Sequence, residues 1–160
     1  MATSAQGSIA ERMQKLEDIE AIRRLTALWC RSLDTQDLEL MSTIIDKDVA
    51  LVLHGTQQKS RQLQGSIAFL EFYRGRLGHY AFTRHNFCNH DIIITDKTAT
   101  LDCYSIIEFA FPSYHTQPEF GIRGMVKNHW DLRKVRGLWR VSLMDIQVQT
   151  WTEGPVKPAL

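Results

Sequence analysis

The sequence predicts an α+β fold in which helices pack on one face of an antiparallel sheet. Up to about residue 80, apolar side chains recur at helical spacing, whereas the chain after residue 83 is rich in β-branched and aromatic residues. Helices followed by strands with short turns are typical of this class, since α/β proteins alternate the two elements. With 160 residues, 44% of them hydrophobic, the chain suits a single domain, 1–160, whose folded core spans residues 9–150.

Helical spacing predicts three helices in the first half of the chain. Apolar residues recur every three or four positions from Ile9 to Leu33, which indicates one long amphipathic helix. A polar break follows, in which Asp34 or Thr35 can cap a short second helix over residues 38–45. A third helix is predicted over residues 65–78, with a glycine at each end.

One short strand and four long ones are predicted. The apolar run from Val49 to Leu53 indicates the short strand, and residues 54–64 after it are expected to form a loop. β-Branched and aromatic residues predict the long strands at 84–95, 99–111, 121–134 and 138–149. Two prolines and a glycine in residues 152–160 predict a loose tail. Helices across the concave side of a bent sheet leave a pocket that suits a small apolar ligand.

Charge and cysteine content argue against several classes of function. The formal net charge of +1 gives no reason to expect nucleic acid or an anionic membrane as a partner. No apolar run approaches the ~20 residues that a membrane span requires. The three cysteines are an odd number without a pairing pattern, so we expect a reduced, cytoplasmic protein.

No cofactor or metal site is expected. The sequence lacks the glycine-rich motifs that bind dinucleotides and phosphates, and it lacks the HExxH and CxxC motifs. His79, His85 and His90 lie close together in the sequence with Asp91, but a regular strand would direct His85 and His90 to opposite faces. We therefore assign these histidines no metal.

Asp34 and His85 are the candidate catalytic residues. Asp34 ends an apolar helix near the boundary of the core, and His85 begins a predicted strand, so the question is whether both reach one pocket. A carboxylate that accepts a hydrogen bond from one ring nitrogen leaves the other nitrogen to act as a general base. Each residue also has an ordinary structural interpretation, Asp34 as a helix cap and His85 as a hydrogen-bonded core histidine.

Asn128 is a candidate for binding a ligand. It alternates with Val126 and Trp130 on a predicted strand, which places an amide among apolar neighbours. A buried amide needs a hydrogen-bond partner, which backbone, water or a substrate oxygen can supply.

Three segments carry a family resemblance. They are Ile19–Leu25 with Ser32–Leu38, Thr83–Ile92, and Gly137–Val141. In this order and spacing they resemble the SnoaL-like branch of the nuclear-transport-factor-2-like superfamily. The resemblance implies a cone-shaped α+β barrel, with N-terminal helices packed on a strongly curved, mostly antiparallel sheet around a deep pocket. It also implies a homodimer formed through the outer face of the sheet.

Within this branch, the sequence is most similar to enzymes of the scytalone dehydratase type. Their catalytic aspartate and histidine correspond to Asp34 and His85, and their pocket asparagine corresponds to Asn128. Four other pocket positions differ, because two water-holding tyrosines, a second histidine and a serine are replaced here. The replacements are Leu33, Leu53, Cys103 and Val126, in that order. We expect these four residues and Trp130 to line or border a pocket more apolar than that of the dehydratases.

The expected function is a cofactor-independent lyase, isomerase or cyclase. Its substrate would be a small hydrophobic molecule such as a polyketide, terpenoid or steroid, and the Asp34–His85 pair would transfer the proton. The alternative is a non-catalytic protein of the same fold that binds a small molecule or serves as an accessory subunit. The discriminating feature is whether Asp34 and His85 share one pocket. A carboxylate oxygen within hydrogen-bond reach of the imidazole favours the enzyme, whereas an aspartate turned to solvent as a cap favours the binder.

A homodimer is expected through the outer face of the sheet. Regular alternation along the strands places five apolar residues there, too large a set to leave in water. They are Tyr104, Ile106, Met144, Ile146 and Val148.

Overall fold

Helices dominate the first half of the chain and strands the second. A computed structural model describes residues 7–55, 60–112 and 120–155. The helices are α1 (Ile9–Asp34), α2 (Leu38–Ile44) and α3 (Ser66–Leu77). The strands are β1 (Ile45–His54), β2 (Arg61–Gln64), β3 (Phe82–Thr95), β4 (Thr98–Ala110), β5 (Phe120–Val135) and β6 (Leu138–Pro155). The predicted α+β class is confirmed.

The strands form one curved sheet in the order β2-β1-β6-β5-β4-β3. All neighbouring pairs are antiparallel except β1 and β6, which run parallel. The sheet does not close on itself, so β2 and β3 are its edges. The helices cover one face, where they meet the inward side chains of β1, β3 and β6.

Helix α1 begins at a capping box and packs its second half on the sheet. The Ser8 hydroxyl accepts a hydrogen bond from the backbone N–H of Glu11, whose carboxylate accepts one from the Ser8 backbone. Trp29 and Leu33 are buried in the core, but Ile9 at the start of the helix is 75% exposed. The predicted apolar stripe is therefore buried only in part, because the first turns extend past the sheet.

The segment between α2 and α3 contains more strand than the sequence predicts. Strand β1 starts at Ile45, directly after α2, although the predicted strand begins only at Val49. The Asp46 carboxylate is held in place because it accepts hydrogen bonds from the guanidinium of Arg133 on β5. Residues 61–64 form the edge strand β2 inside the predicted loop.

A β-bulge in β3 changes which side chains face the helices. Cys88 pairs with Tyr104 and Asp91 pairs with Asp102, so two residues of β3 stand opposite one of β4. Asn89 adopts a φ of 56°, which asparagine tolerates better than most residues. The extra residue puts His85 and His90 on the same face of the strand. The prediction that they lie on opposite faces is therefore wrong. His90 contacts Thr26 of α1 across 3.1 Å between Nε2 and Oγ1.

A second bulge inverts the predicted alternation of β6. Val141 pairs with Leu132 and Leu143 pairs with Asp131, which leaves Ser142 unmatched. Three side chains predicted on the outer face consequently turn inward, where Met144 is fully buried and the other two reach the cavity described below. They are Met144, Ile146 and Val148.

The outer face is therefore less apolar than predicted. Tyr104 and Ile106 do lie there, at 38% and 42% exposure, and Met125 joins them at 45%.

The predicted tail is partly strand. Strand β6 continues to Pro155, paired with β5, because Phe120 to Arg123 extend the partner strand that far. Residues 156–160 of that tail lie outside the described residues. Within the described ranges, the helices are too short or too polar to cross a membrane.

Candidate active site

Asp34 and His85 meet directly. Asp34 is the last residue of α1, and His85 lies near the start of β3, the edge strand that α1 covers. The Nδ1 atom of His85 lies 2.8 Å from Oδ1 of Asp34. Both side chains are well covered, with 7% of the imidazole and 20% of the carboxylate exposed. The pair thus lies where a hydrogen bond to a carboxylate has little competition from water.

Three donors hold the Asp34 carboxylate. Besides the His85 ring, the Thr83 hydroxyl lies 3.3 Å from Oδ1, and the His85 backbone N–H lies 3.4 Å from Oδ2. The single proton of the Thr83 hydroxyl is shared between Asp34 and the carbonyl of Leu33, 3.1 Å away, and this contact ties the end of α1 to β3. A carboxylate at a helix C-terminus faces the negative end of the helix dipole, so these donors offset an unfavourable position.

The interpretation of Asp34 as a helix cap is wrong. Asp37 is the N-cap of α2, and its carboxylate accepts a hydrogen bond from the Leu40 backbone N–H. Asp34 instead accepts hydrogen bonds from the side chains of the neighbouring strand.

The second nitrogen of the His85 ring is available to a ligand. Since the carboxylate faces Nδ1, that nitrogen carries the proton in the neutral ring and Nε2 is an acceptor. Nε2 has no hydrogen-bond partner among the described residues. The ring lies edge-on to Phe109, with 5.6 Å between the centroids, which fixes its orientation.

His85 forms part of the wall of a largely apolar cavity. The space free of protein atoms is ≈ 560 Å³, part of it open to solvent. Five polar or charged side chains interrupt the apolar lining, namely His85, Asn128, Ser105, Tyr73 and Arg76. The apolar lining consists of Trp29, Leu33, Leu53, Phe72, Phe87, Ile107, Phe109, Val126, Ile146, Val148 and Trp151.

Asn128 and Ser105 form a polar pair in this wall. Each is 2% exposed, and Nδ2 of Asn128 donates to Oγ of Ser105 across 3.0 Å. The pair lies on neighbouring strands, β5 and β4, whose inward faces both turn toward the cavity. The Ser105 hydroxyl accepts from the amide and keeps its own proton for a ligand oxygen.

The sequence matches the model of a known protein family. The family model of the SnoaL-like domain matches residues 14–145, a range that includes Asp34, His85 and Asn128. The chain belongs to the SnoaL-like family. No curated protein sequence matches it.

Solved structures show the same fold at low sequence identity. A hexachlorocyclohexane dehydrochlorinase (LinA, type 2) matches with a TM-score of 0.77 and 14% identity, over 92% of this chain and 95% of that one. A candidate scytalone dehydratase from Novosphingobium aromaticivorans matches with a TM-score of 0.74 and 17% identity, over 91% and 93%. A candidate dehydratase of the NTF2-like family from Streptomyces avermitilis matches with a TM-score of 0.74 and 15% identity, over 84% and 98%.

Most of the predicted pocket residues of this SnoaL-like chain line the cavity, and two do not. Leu33, Leu53 and Val126 lie in its wall beside Asn128. Cys103 and Trp130 share the inward face of β4 and β5 but are buried in the core instead. Trp29 and Phe87, which do line the cavity, pack against Trp130 with ring centroids 6.0 and 5.5 Å away. Cys103 and Trp130 are therefore not part of the cavity lining, although Trp130 borders the cavity behind Trp29 and Phe87.

Three polar residues of the cavity were missed in the sequence. Ser105 shares the inward face of its strand with Cys103 and Ile107, so alternation along β4 was a usable signal. Tyr73 and Arg76 belong to α3, where helical spacing alone does not distinguish a core residue from one at a cavity.

The described residues contain no cluster of three or more histidine, cysteine or acidic side chains suited to a metal. The buried Cys103 and the half-buried Cys30 are also poor nucleophiles. Burial raises the pKa of Cys103 to about 12 and that of Cys30 to about 11, so both remain thiols at neutral pH.

Proposed function

We propose that the protein is a cofactor-independent lyase, isomerase or cyclase that moves a proton on a small hydrophobic substrate. The observation that carries this proposal is the 2.8 Å contact between Asp34 and His85 at the wall of an apolar cavity. A polyketide-, terpenoid- or steroid-like molecule fits a lining that consists mostly of aromatic and branched aliphatic side chains.

His85 acts as the general base in this proposal. Its Nε2 removes a proton from a carbon that neighbours either a carbonyl or a carbon bearing a leaving group. The C–H electrons then form the double bond of an enolate or, as the bond to the leaving group breaks, that of an alkene. Asp34 stabilises the resulting imidazolium through Nδ1–H. The imidazolium then returns the proton to the departing group in an elimination or to another carbon in an isomerisation. In a cyclisation the enolate carbon attacks a carbonyl carbon, and the proton goes to the alkoxide oxygen that this forms.

Asn128 and Ser105 bind a substrate oxygen. Their hydrogen bond in the wall orients both polar groups, so little reorganisation is needed when charge develops on that oxygen. Such pre-oriented donors stabilise the charge of an enolate more than that of the neutral carbonyl.

The solved relatives support elimination as the reaction type. One is a dehydrochlorinase and two are candidate dehydratases, which all release a small leaving group. Leu33 and Leu53 stand where the water-holding tyrosines of scytalone dehydratase-type enzymes are expected. This chain therefore relies on its Asp–His pair without that water-binding set.

The experiment measures proton removal with a probe, the ring opening of 5-nitrobenzisoxazole. A base removes the C3 proton, the C–H electrons form a nitrile, and the N–O bond breaks to release a coloured phenolate. We expect the purified protein to catalyse this reaction and His85→Ala to lose about 10²- to 10⁴-fold in rate. His129→Ala is the matched control, because His129 pairs with Asp102 outside the cavity at 3.1 Å.

The alternative function is a non-catalytic binding or accessory protein. Equal rates for wild type, folded His85→Ala and His129→Ala would favour this alternative, because His85 would then contribute nothing to proton removal. Circular dichroism shows whether each variant is folded.

A further inference from the structure

Helix α3 presents a cation and a hydroxyl to the cavity. Tyr73 and Arg76 lie three positions apart, so they share one face of the helix, and both line the cavity. The Tyr73 ring is fixed by aromatic neighbours. It lies edge-on to Trp29 with 5.2 Å between centroids, and 5.0 Å from the centroid of Phe69.

Within the described chain, Arg76 lacks the carboxylate partner that two other partly buried cations, Arg133 and Lys134, have. Arg133 pairs with Asp46, and Lys134 lies 2.6 Å from Asp18. Arg76 is also partly buried, yet among residues 7–55, 60–112 and 120–155 no carboxylate lies within 4.0 Å of its side chain. A guanidinium beside an apolar wall without a counter-charge is unfavourable unless a ligand supplies one.

The Tyr73 hydroxyl is likewise unpaired. Tyr73 is only 8% exposed, and its hydroxyl has no hydrogen-bond partner in the described part of the chain. Burial raises the pKa of this hydroxyl well above its usual value, and the nearby charge of Arg76 offsets the rise only in part. The hydroxyl therefore keeps its proton and is a donor at neutral pH.

We propose that Arg76 and Tyr73 bind a carboxylate of the substrate, so that the substrate is a small apolar acid. The guanidinium supplies charge and two parallel donors, and the phenol supplies a third donor one helical turn away. This inference rests on the proposed function, in that it takes the cavity as the substrate site, and it names the class of substrate. The carboxylate would hold one end of the molecule while the apolar lining holds the rest.

The test compares two probes that differ in charge but hardly in shape, 2-naphthoate and 2-naphthamide. Isothermal titration calorimetry of the wild type should show tighter binding of the naphthoate. Arg76→Ala should weaken naphthoate binding by about 10- to 100-fold and naphthamide binding much less, because the amide is neutral and loses no charge pairing. Tyr73→Phe should weaken naphthoate binding by about 3- to 10-fold, since it removes one hydrogen bond.

Arg74→Ala is the matched control, because Arg74 lies on the same helix but is exposed and does not line the cavity. Equal affinity for the two probes, no saturable binding of naphthoate, or the same loss in Arg74→Ala and Arg76→Ala would overturn the proposal. Thermal melting confirms that each variant is folded. This experiment measures binding and not catalysis. A protein that prefers naphthoate but does not open 5-nitrobenzisoxazole would therefore refute the proposed catalysis and still support the carboxylate-binding site.

Discussion

Replacing Asp34 by asparagine tests the catalytic pair with the smallest change in shape. The carboxylate has two acceptor atoms, one facing the His85 ring and Thr83 and the other facing the His85 backbone N–H. An asparagine has only one acceptor. If its oxygen faces the backbone N–H, its NH₂ group donates to Nδ1 of His85. The proton of the neutral ring then moves to Nε2, which can no longer act as a base.

The structure sets the size of the expected effect. The lost interaction is one short hydrogen bond to a charged group, at 2.8 Å, between side chains that are 7% and 20% exposed. Hydrogen bonds of this kind contribute about 1.5–3 kcal/mol, which corresponds to a rate loss of about 10- to 100-fold if the bond strengthens in the transition state. The melting temperature should change little, because removing negative charge from the C-terminus of α1 offsets part of the lost hydrogen bonding.

The assay is the ring opening of 5-nitrobenzisoxazole under steady-state conditions. We expect kcat to fall for Asp34→Asn while KM stays close to the wild-type value, since Asp34 does not itself line the cavity. Asp102→Asn is the control, because it removes a carboxylate that pairs with His129 away from the cavity. A folded Asp34→Asn with wild-type kcat would refute the role of Asp34, as would an equal loss of kcat in Asp102→Asn.

Two further predictions concern stability and assembly. The Arg133 guanidinium lowers the pKa of Asp46 to about 2 from a usual 3.8, so their pairing stabilises the fold above about pH 4 and this contribution disappears as the pH falls toward 2. Because Arg133 is 42% exposed, Asp46→Asn should cost only about 1–2 kcal/mol in urea unfolding at pH 7, and an equal cost at pH 2 would contradict the pairing. We also propose a homodimer through the outer face, and Ile106→Asp should then shift the mass measured by light scattering from dimer to monomer. A wild-type protein that is monomeric at micromolar concentration would refute this.

Local sequence determined the class of fold and the approximate elements. The helical spacing before residue 80 and the β-branched, aromatic composition after residue 83 depend only on near neighbours, and both were interpreted correctly. The sequence also singled out Asp34 and His85 as candidates, because Asp34 ends an apolar helix and His85 begins a strand, and the structure brings the two side chains into contact. The short edge strand β2 was missed, since its four residues carry no pattern of their own.

Tertiary structure decided which face each strand turns to the helices. A strand alternates with period two, so a single unmatched residue reverses every side chain beyond it. Whether a residue is unmatched depends on the register of the partner strand, which lies far away in the sequence. The bulge at Ser142 consequently turned Ile146 and Val148 toward the cavity, and the bulge in β3 turned His90 toward α1.

The sequence also did not determine which residues line the cavity. Tyr73 and Arg76 line it because α3 crosses the sheet at one particular place, while Trp130 is covered because Trp29 and Phe87 pack against it. The sequence determined that these residues lie on inward faces or on a helix. Only the packing of helices on a bent sheet decided which of them reach empty space, because a cavity is bounded by residues from many segments at once.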